Sequence, residues 1–423
     1  MVIERRHIRC ALAASAGAAL STAHPLGIAA SIAMPPLALS QETRREAYSA
    51  GLSYYMAALW PMIPAAKNFL GPDVSAFAAV TLWVIGSMLL AIPWMLVWAP
   101  DRRQAQWRVP LGLVLTVVPP LGIIGWASPL TAAGILFPGT AWMGLVLCAV
   151  SSGALATQPR LAALVLTAVG VICNVVFSGN SKSLPEWKAV NTEFGGIAHG
   201  SENPIATYEA VQWIQREALS APAKVIVFPE TVVPTWTPAT DAFWQQTLDR
   251  LRSSGKTILV GSIVPVPAPV SGSPQYDFSA QIAALTSTTP EIVPARAKAE
   301  PNIAPVFAYD NMVVLRGAET RSIKQRIPVP IGMWNPLRTA SARLNISGTG
   351  VVELHGERAA ILICYEQLLT WPVLASMAEH PTVLIAVAND HWVTGTPIPQ
   401  CQLAAVRGWA RLFRLPYLSA VNR

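Results

Sequence analysis

The sequence predicts two domains of different class: an N-terminal α-helical membrane domain of several spans over residues 1–178, and an α/β domain over 179–423. Three observations carry that division. The long apolar runs are confined to the first part of the 423-residue chain. In the second part, short apolar runs with strand character alternate with helical spacing, the pattern of layered α/β structure. The whole is also too apolar for an ordinary soluble enzyme, at 52% hydrophobic and 13% charged residues with a mean hydropathy of +0.42.

The first nine residues carry Arg5, Arg6 and Arg9, and an apolar stretch from Cys10 to Leu39 follows, interrupted at His24-Pro25 and Pro35-Pro36. A basic start and an apolar run fit a signal peptide. Further apolar runs follow at once, which favours a retained membrane segment. These runs cover about 50–63, 75–98, 109–126, 131–156 and 161–177, and several approach the ~20 residues a bilayer crossing needs. Trp98, Trp107 and Trp126 stand at or near run ends, as interfacial aromatics do. If 10–39 forms one helix, six spans precede the α/β domain. If it breaks near Pro25 into two short helices, there are seven. Every basic loop (Arg5/Arg6/Arg9, Arg44/Arg45, Arg102/Arg103/Arg108 and Arg160) then falls on the N-terminal side, leaving only Lys67 on the other. The excess of Arg on cytoplasmic loops favours seven, with the N-terminus cytoplasmic and the segment after Phe177 periplasmic.

Beyond Phe177 a polar linker over 178–201 leads into the α/β domain. Helical spacing covers 208–219 and strand character 224–230. A helix over 241–252 and a strand over 256–264 follow. Residues 264–305 are rich in Pro, Ser and Thr and too long for a simple turn, so they read as a surface excursion or a lid. Strands are predicted at 310–316, 351–354, 359–364 and 383–388, a helix at 400–414 and a last strand at 417–421.

The chemistry gathers at strand ends. An apolar strand ends on Cys364, followed by Tyr365 and Glu366; another ends on Pro229-Glu230. The strand after Asn311 is followed by Ser322-Ile323-Lys324. Together these form a nucleophile system. Glu230 takes the thiol proton, Lys324 stabilises the developing oxyanion, and Cys364 attacks a carbonyl. The backbone N–H of Tyr365 is a second oxyanion donor and Glu366 supports the site. Competing readings are a structural cysteine at Cys364 with Cys401 as the rival thiol, a surface glutamate at Glu230, and Lys298 or Arg326 as the cation. The five cysteines show no C-x-x-C spacing, so no metal, cofactor or disulfide framework is expected. Cys148 and Cys173 read as packing residues, and Cys10 lacks a lipobox. The formal net charge of +7 has no basic cluster with interleaved aromatics, so no direct nucleic-acid binding is expected.

Phe228-Pro229-Glu230-Thr231, Ile363-Cys364-Tyr365-Glu366 and Ala388-Asn389-Asp390-His391-Trp392 occur in that order, and the constellation resembles the nitrilase (carbon–nitrogen hydrolase) superfamily. Within it the chain is most similar to apolipoprotein N-acyltransferases, including a conjugal-transfer branch that shares their layout. The resemblance implies a nitrilase-like αββα sandwich and a Glu230-Lys324-Cys364 triad passing an acyl group through a thioester. It also implies a multi-pass place in a bacterial inner membrane, with the catalytic domain periplasmic. Implied partners are the lipid bilayer, a phospholipid acyl donor, a peptide or lipoprotein amine acceptor, and conjugal transfer proteins. Two departures stand out. The acyltransferases follow their lysine with Pro-x-Gly-Glu; here the run is Pro330-Ile331-Gly332-Met333, and one extra residue separates it from Lys324. The family's closing transmembrane helix is also expected to be missing. The alternative to an enzyme is a non-catalytic membrane scaffold that keeps the fold.

Overall fold

The computed structural model describes residues 2–70, 75–177, 182–196, 204–266, 308–337 and 341–423. The N-terminal apolar runs form helices, and proline marks several of their breaks. Val2–Ser21 is one helix; the chain turns at His24, whose Nδ1 accepts from Leu26 N, and Pro25 opens the next. The stretch to Leu39 is broken into Pro25–Ala30, a 3-10 turn and Met34–Leu39. Arg44–Leu59 and Met62–Leu70 follow. The 109–126 run is helical only to Val117, ahead of Pro119-Pro120, because the residue before a proline is pushed out of the helical region. The 131–156 run is divided at Pro138-Gly139 into Ala133–Leu136 and Trp142–Thr157. Among the described residues, two helices are long and apolar enough to cross a membrane: Ala76–Val97, of 22 residues, and Pro159–Val176, of 18.

The α/β expectation holds. One sheet runs β1 (Trp187–Ala189), β2 (Val225–Val227), β4 (Thr257–Pro265), β5 (Tyr309–Gly317), β6 (Arg321–Lys324), with β3 (Val233–Thr235) also on β4. Its first three strands are parallel, and β4, β5 and β6 are antiparallel to one another in turn. The second sheet runs β10 (Tyr417–Asn422), β9 (Val383–Asn389), β8 (Glu357–Ile363), β7 (Val351–Leu354). Successive side chains of a strand face opposite ways, and here both faces are covered. Val225, Val227, Leu259 and Val313 pack against Ile361, Ile363, Ile385 and Val387 between the sheets. Their neighbours Ile226, Phe228, Ile258 and Val260 face the helices Pro204–Ser220 and Pro238–Ser253. On the far side, Ala360, Leu362, Leu384 and Ala386 face the helices Thr370–Met377 and Ile398–Phe413. The layers are therefore helix, sheet, sheet, helix. Burial on both faces is why the central strands read as continuous apolar runs.

The last core layer continues without a break into the N-terminal helices, through Ala13, Tyr54, Trp94 and Val109. The approach is close: a Cβ added at Gly134 would lie 2.1 Å from Gly408 O in the helix Ile398–Phe413. Most of the 264–305 excursion, the rival cation Lys298, and parts of the 178–201 linker lie outside the described residues.

Candidate active site

Three strand ends meet between the sheets. After β2 the chain stays bonded to β4, with Phe228 N donating to Leu259 O and Gly261 N donating to Pro229 O. Glycine is needed at 261, since a Cβ there would lie 2.3 Å from Glu230 Cα. This delivers Glu230 to the interior, 4% exposed. Its Oε1 accepts from Asn311 Nδ2 at 2.6 Å and its Oε2 from the backbone N of Asn389 at 3.0 Å. The Cys364 thiol is its neighbour, close enough for each group to shift the other's proton affinity. Burial pushes the carboxyl above its ordinary range, and the Asn311 hydrogen bond, the Cys364 thiol and the Asn389 hydrogen bond pull part of that back.

Cys364 follows β8 with φ +49°, in the left-handed region, and is half-buried. Burial, then the neighbouring charge of Glu230, hold its thiol well above the usual range. The resting group is a neutral thiol beside a carboxyl. Such a pair can pass the thiol proton to the carboxylate as sulfur attacks a carbonyl carbon.

The expected cation is not there. Lys324 pairs with Met312 across β5 and β6, and its Nζ lies 2.8 Å from Asp310 Oδ2 with the side chain 41% exposed. Asp310 also pairs with Arg343. The next residue takes the interior place. Gln325 N donates to Asn311 O, its Oε1 accepts from Asn311 Nδ2 at 2.9 Å, and its Nε2 donates to Ile363 O at 3.1 Å. It is 2% exposed. One step along an extended chain turns a side chain to the other face. Lys324 shares the face of Asp310 and Met312; Gln325 shares that of Asn311. The expectation for Lys324 is therefore corrected: the structure brings Glu230 and Cys364 together with Gln325. The sequence signal was the extra residue before Pro330, which shifts the matching position from 324 to 325.

Arg326, the other nearby cation, is fully buried and committed elsewhere. Its Nη2 lies 2.8 Å from Glu366 Oε2, and its Nη1 donates to Thr349 O, Pro372 O and Ser376 Oγ. Glu366 in turn accepts from Ile363 N at 3.2 Å, so the ion pair holds the strand end that carries Cys364. The Tyr365 hydroxyl donates to Ile123 O at 3.1 Å, in the N-terminal helical part. The rival thiol Cys401 lies apart, its Sγ 3.6 Å from Ser21 O.

Sequence reasoning passed over the amides. Asn389, which bonds Glu230 through its backbone, accepts at Oδ1 from Asn422 Nδ2 at 3.1 Å. Asn422 accepts from Thr192 Oγ1 and Phe194 N. Asp390, 7% exposed, is a second carboxyl near the thiol; burial first and the charge of Glu230 second push it up to about 7. Among the described residues, no Lys or Arg is hydrogen-bonded to Glu230, Gln325 or Cys364, and no group of three side chains could hold a metal ion.

No protein-family model matches the chain. It is 30% identical over 408 residues to the conjugal transfer protein TraB of Agrobacterium fabrum, covering 92% of this chain and 86% of that relative. It is 29% identical over 400 residues to the probable conjugal transfer protein TraB of Sinorhizobium fredii, covering 92% and 91%. Similar solved structures include an amidase from Nesterenkonia sp., at 13% identity and TM-score 0.31 over 58% of this chain and 79% of that one. A second is a mutant of the Nesterenkonia AN1 amidase of the nitrilase superfamily, at 13% identity and TM-score 0.29 over 50% and 68%.

Proposed function

The chain belongs to the family of the conjugal transfer protein TraB, and from that premise we propose that it is a membrane-embedded acyltransferase or amidohydrolase serving conjugal plasmid transfer. The observation that carries the chemistry is the meeting of Glu230 and Cys364 at two strand ends, with Glu230 buried and held by Asn311 and Asn389. Glu230 accepts the thiol proton as Sγ bonds to the carbonyl carbon of the substrate. The oxyanion forms beside the backbone N–H of Tyr365. Collapse expels the leaving group, which takes the proton back from Glu230, and leaves a thioester on Cys364. An amine or a water molecule then attacks the thioester, with Glu230 again as base. Glu366, tied to Arg326, holds the turn.

The donor in this reading is a phospholipid and the acceptor a peptide or lipoprotein amine; no nucleic acid is bound directly. Support comes from the join between the parts. The residue after Cys364 is hydrogen-bonded to Ile123, and the helices beyond expose large apolar side chains such as Phe77, Leu96 and Leu164. Exposed apolar area of that extent marks a membrane or protein contact. The protein would sit in the inner membrane with Cys364 on the periplasmic side, in reach of other conjugal transfer proteins.

Purified protein in bilayers of labelled phospholipid should acquire one acyl chain, released by hydroxylamine and absent from Cys364→Ala. A second reading, a non-catalytic scaffold, is favoured by Gln325 standing where a cation was expected and by Met333 in place of an acidic residue. Folded wild type that stays unlabelled removes the lipid donor and favours the scaffold.

A further inference from the structure

We propose that Gln325 is the side-chain oxyanion donor of this site, a neutral amide doing the work expected of a lysine; the inference rests on the acyl-transfer reading of Cys364. The amide is fixed in direction. Its Oε1 accepts from Asn311 Nδ2 and its Nε2 donates to Ile363 O, the carbonyl just before the nucleophile. Asn311 cannot reverse to accommodate a flip, since the same Nδ2 also donates to Glu230 Oε1. Turning Gln325 over would set Oε1 against Ile363 O and Nε2 against Asn311 Nδ2, two repulsive contacts in a buried place. Nε2 is thereby held at the Cys364 end.

Nε2 carries two hydrogens. One goes to Ile363 O, and no acceptor among the described residues takes the other. A side-chain amide fixed beforehand, away from water, is a known type of oxyanion donor. In the step itself, Sγ bonds to the carbonyl carbon, the thiol proton moves to Glu230, and the π pair moves onto oxygen. That oxygen accepts from Gln325 Nε2 and from Tyr365 N. When the leaving-group bond breaks, the pair returns to the carbonyl and Glu230 gives up its proton to the departing group. No cation enters, so nothing pairs with Glu230 and weakens it as a base. Lys324, on the other face with Asp310, takes no part.

The test compares two reactions of Cys364 in the full-length protein in detergent. Acetylation by p-nitrophenyl acetate builds an oxyanion; alkylation by iodoacetamide displaces iodide and builds none. Gln325→Met removes the donor at similar volume and should slow acetylation by roughly a hundredfold or more while alkylation stays within about twofold. Lys324→Met should leave both rates as they are. Gln325→Leu removes the donor without adding a charge and should lose acetylation as far, which preserves the test if the methionine variant does not fold. Equal loss of both rates in the Gln325 variants, or loss of acetylation in Lys324→Met, overturns the proposal. Wild type that is alkylated but never acetylated instead removes the acyl-transfer reading, and the role of Gln325 with it.

Discussion

Asp390 ionises against two obstacles, a buried setting and the neighbouring charge of Glu230, and its Oδ1 has no hydrogen-bond partner among the described residues. Its folded-state pKa of about 7 lies above the unfolded value of about 3.9, so the fold binds this proton more tightly than the unfolded chain does. The stability it contributes is therefore full below about pH 3.9 and is lost as pH rises through about 7. At 1.36 kcal/mol per unit the loss is on the order of a few kcal/mol. Asp390→Asn removes the titration while keeping the shape. Denaturation midpoints taken between about pH 5 and about pH 9 should fall for wild type and stay flatter for the variant. Parallel curves would mean that another group carries the slope. The same residue shows what a sequence conceals. Asp390 was noticed only as part of a motif, because its pKa comes from burial and from a carboxylate 160 positions away in the chain, Glu230. Glu230 and Cys364 were legible because each follows an apolar strand. Gln325 was not: a neutral amide announces no chemistry, and the lysine beside it does.

At the level of elements, the nucleophile turn is fastened by one buried ion pair. Glu366 receives Arg326 through both its backbone N and its guanidinium, receives Ile327 N, and accepts from Ile363 N on β8. The end of β6 is thus locked to the end of β8, across the two sheets. Removing one member of such a pair strands a buried charge. Arg326→Met should destabilise the fold by roughly 3–5 kcal/mol, far more than loss of the half-exposed Lys324. Chemical denaturation of both variants checks this; equal midpoints would show that the pair contributes no more than a surface contact. Strands were legible in the sequence where both faces are covered, as in β2, β8 and β9. The strands β1, β3 and β6 escaped, since each is partly exposed and so carries no continuous apolar run to read. The N-terminal helices were legible as apolar stretches, whereas breaks at Pro119 and Pro138 shorten the helices within them.

For the whole molecule, the proposed orientation in a membrane follows from which loops meet. Arg9 Nη1 donates to Ser40 O at 2.6 Å, Arg102 Nη2 donates to the same oxygen at 3.2 Å, and Trp98 Nε1 donates to Gln41 O. The N-terminal turn and the loops near 40 and 100 therefore share one end of the helical part, and that end is the basic one. At the other end, Trp60 Nε1 donates to Ser21 Oγ, and Cys401 of the α/β domain touches Ser21 O. Residues 10–39 leave the basic end and come back to it, the path that the two-helix alternative describes. In the proposed membrane placement basic loops stay in the cytoplasm, and the α/β domain, seated on the opposite end, would face the periplasm. A phosphatase reporter fused at residue 200 should be active, and a reporter that fluoresces only in the cytoplasm should be dark there. Moving the fusion to residue 42 should reverse both signals, because that loop lies with Arg9 and Arg102. Like signals at the two positions would place the basic and catalytic ends on one side of the membrane. The acyl donor would then have to come from the cytoplasmic leaflet.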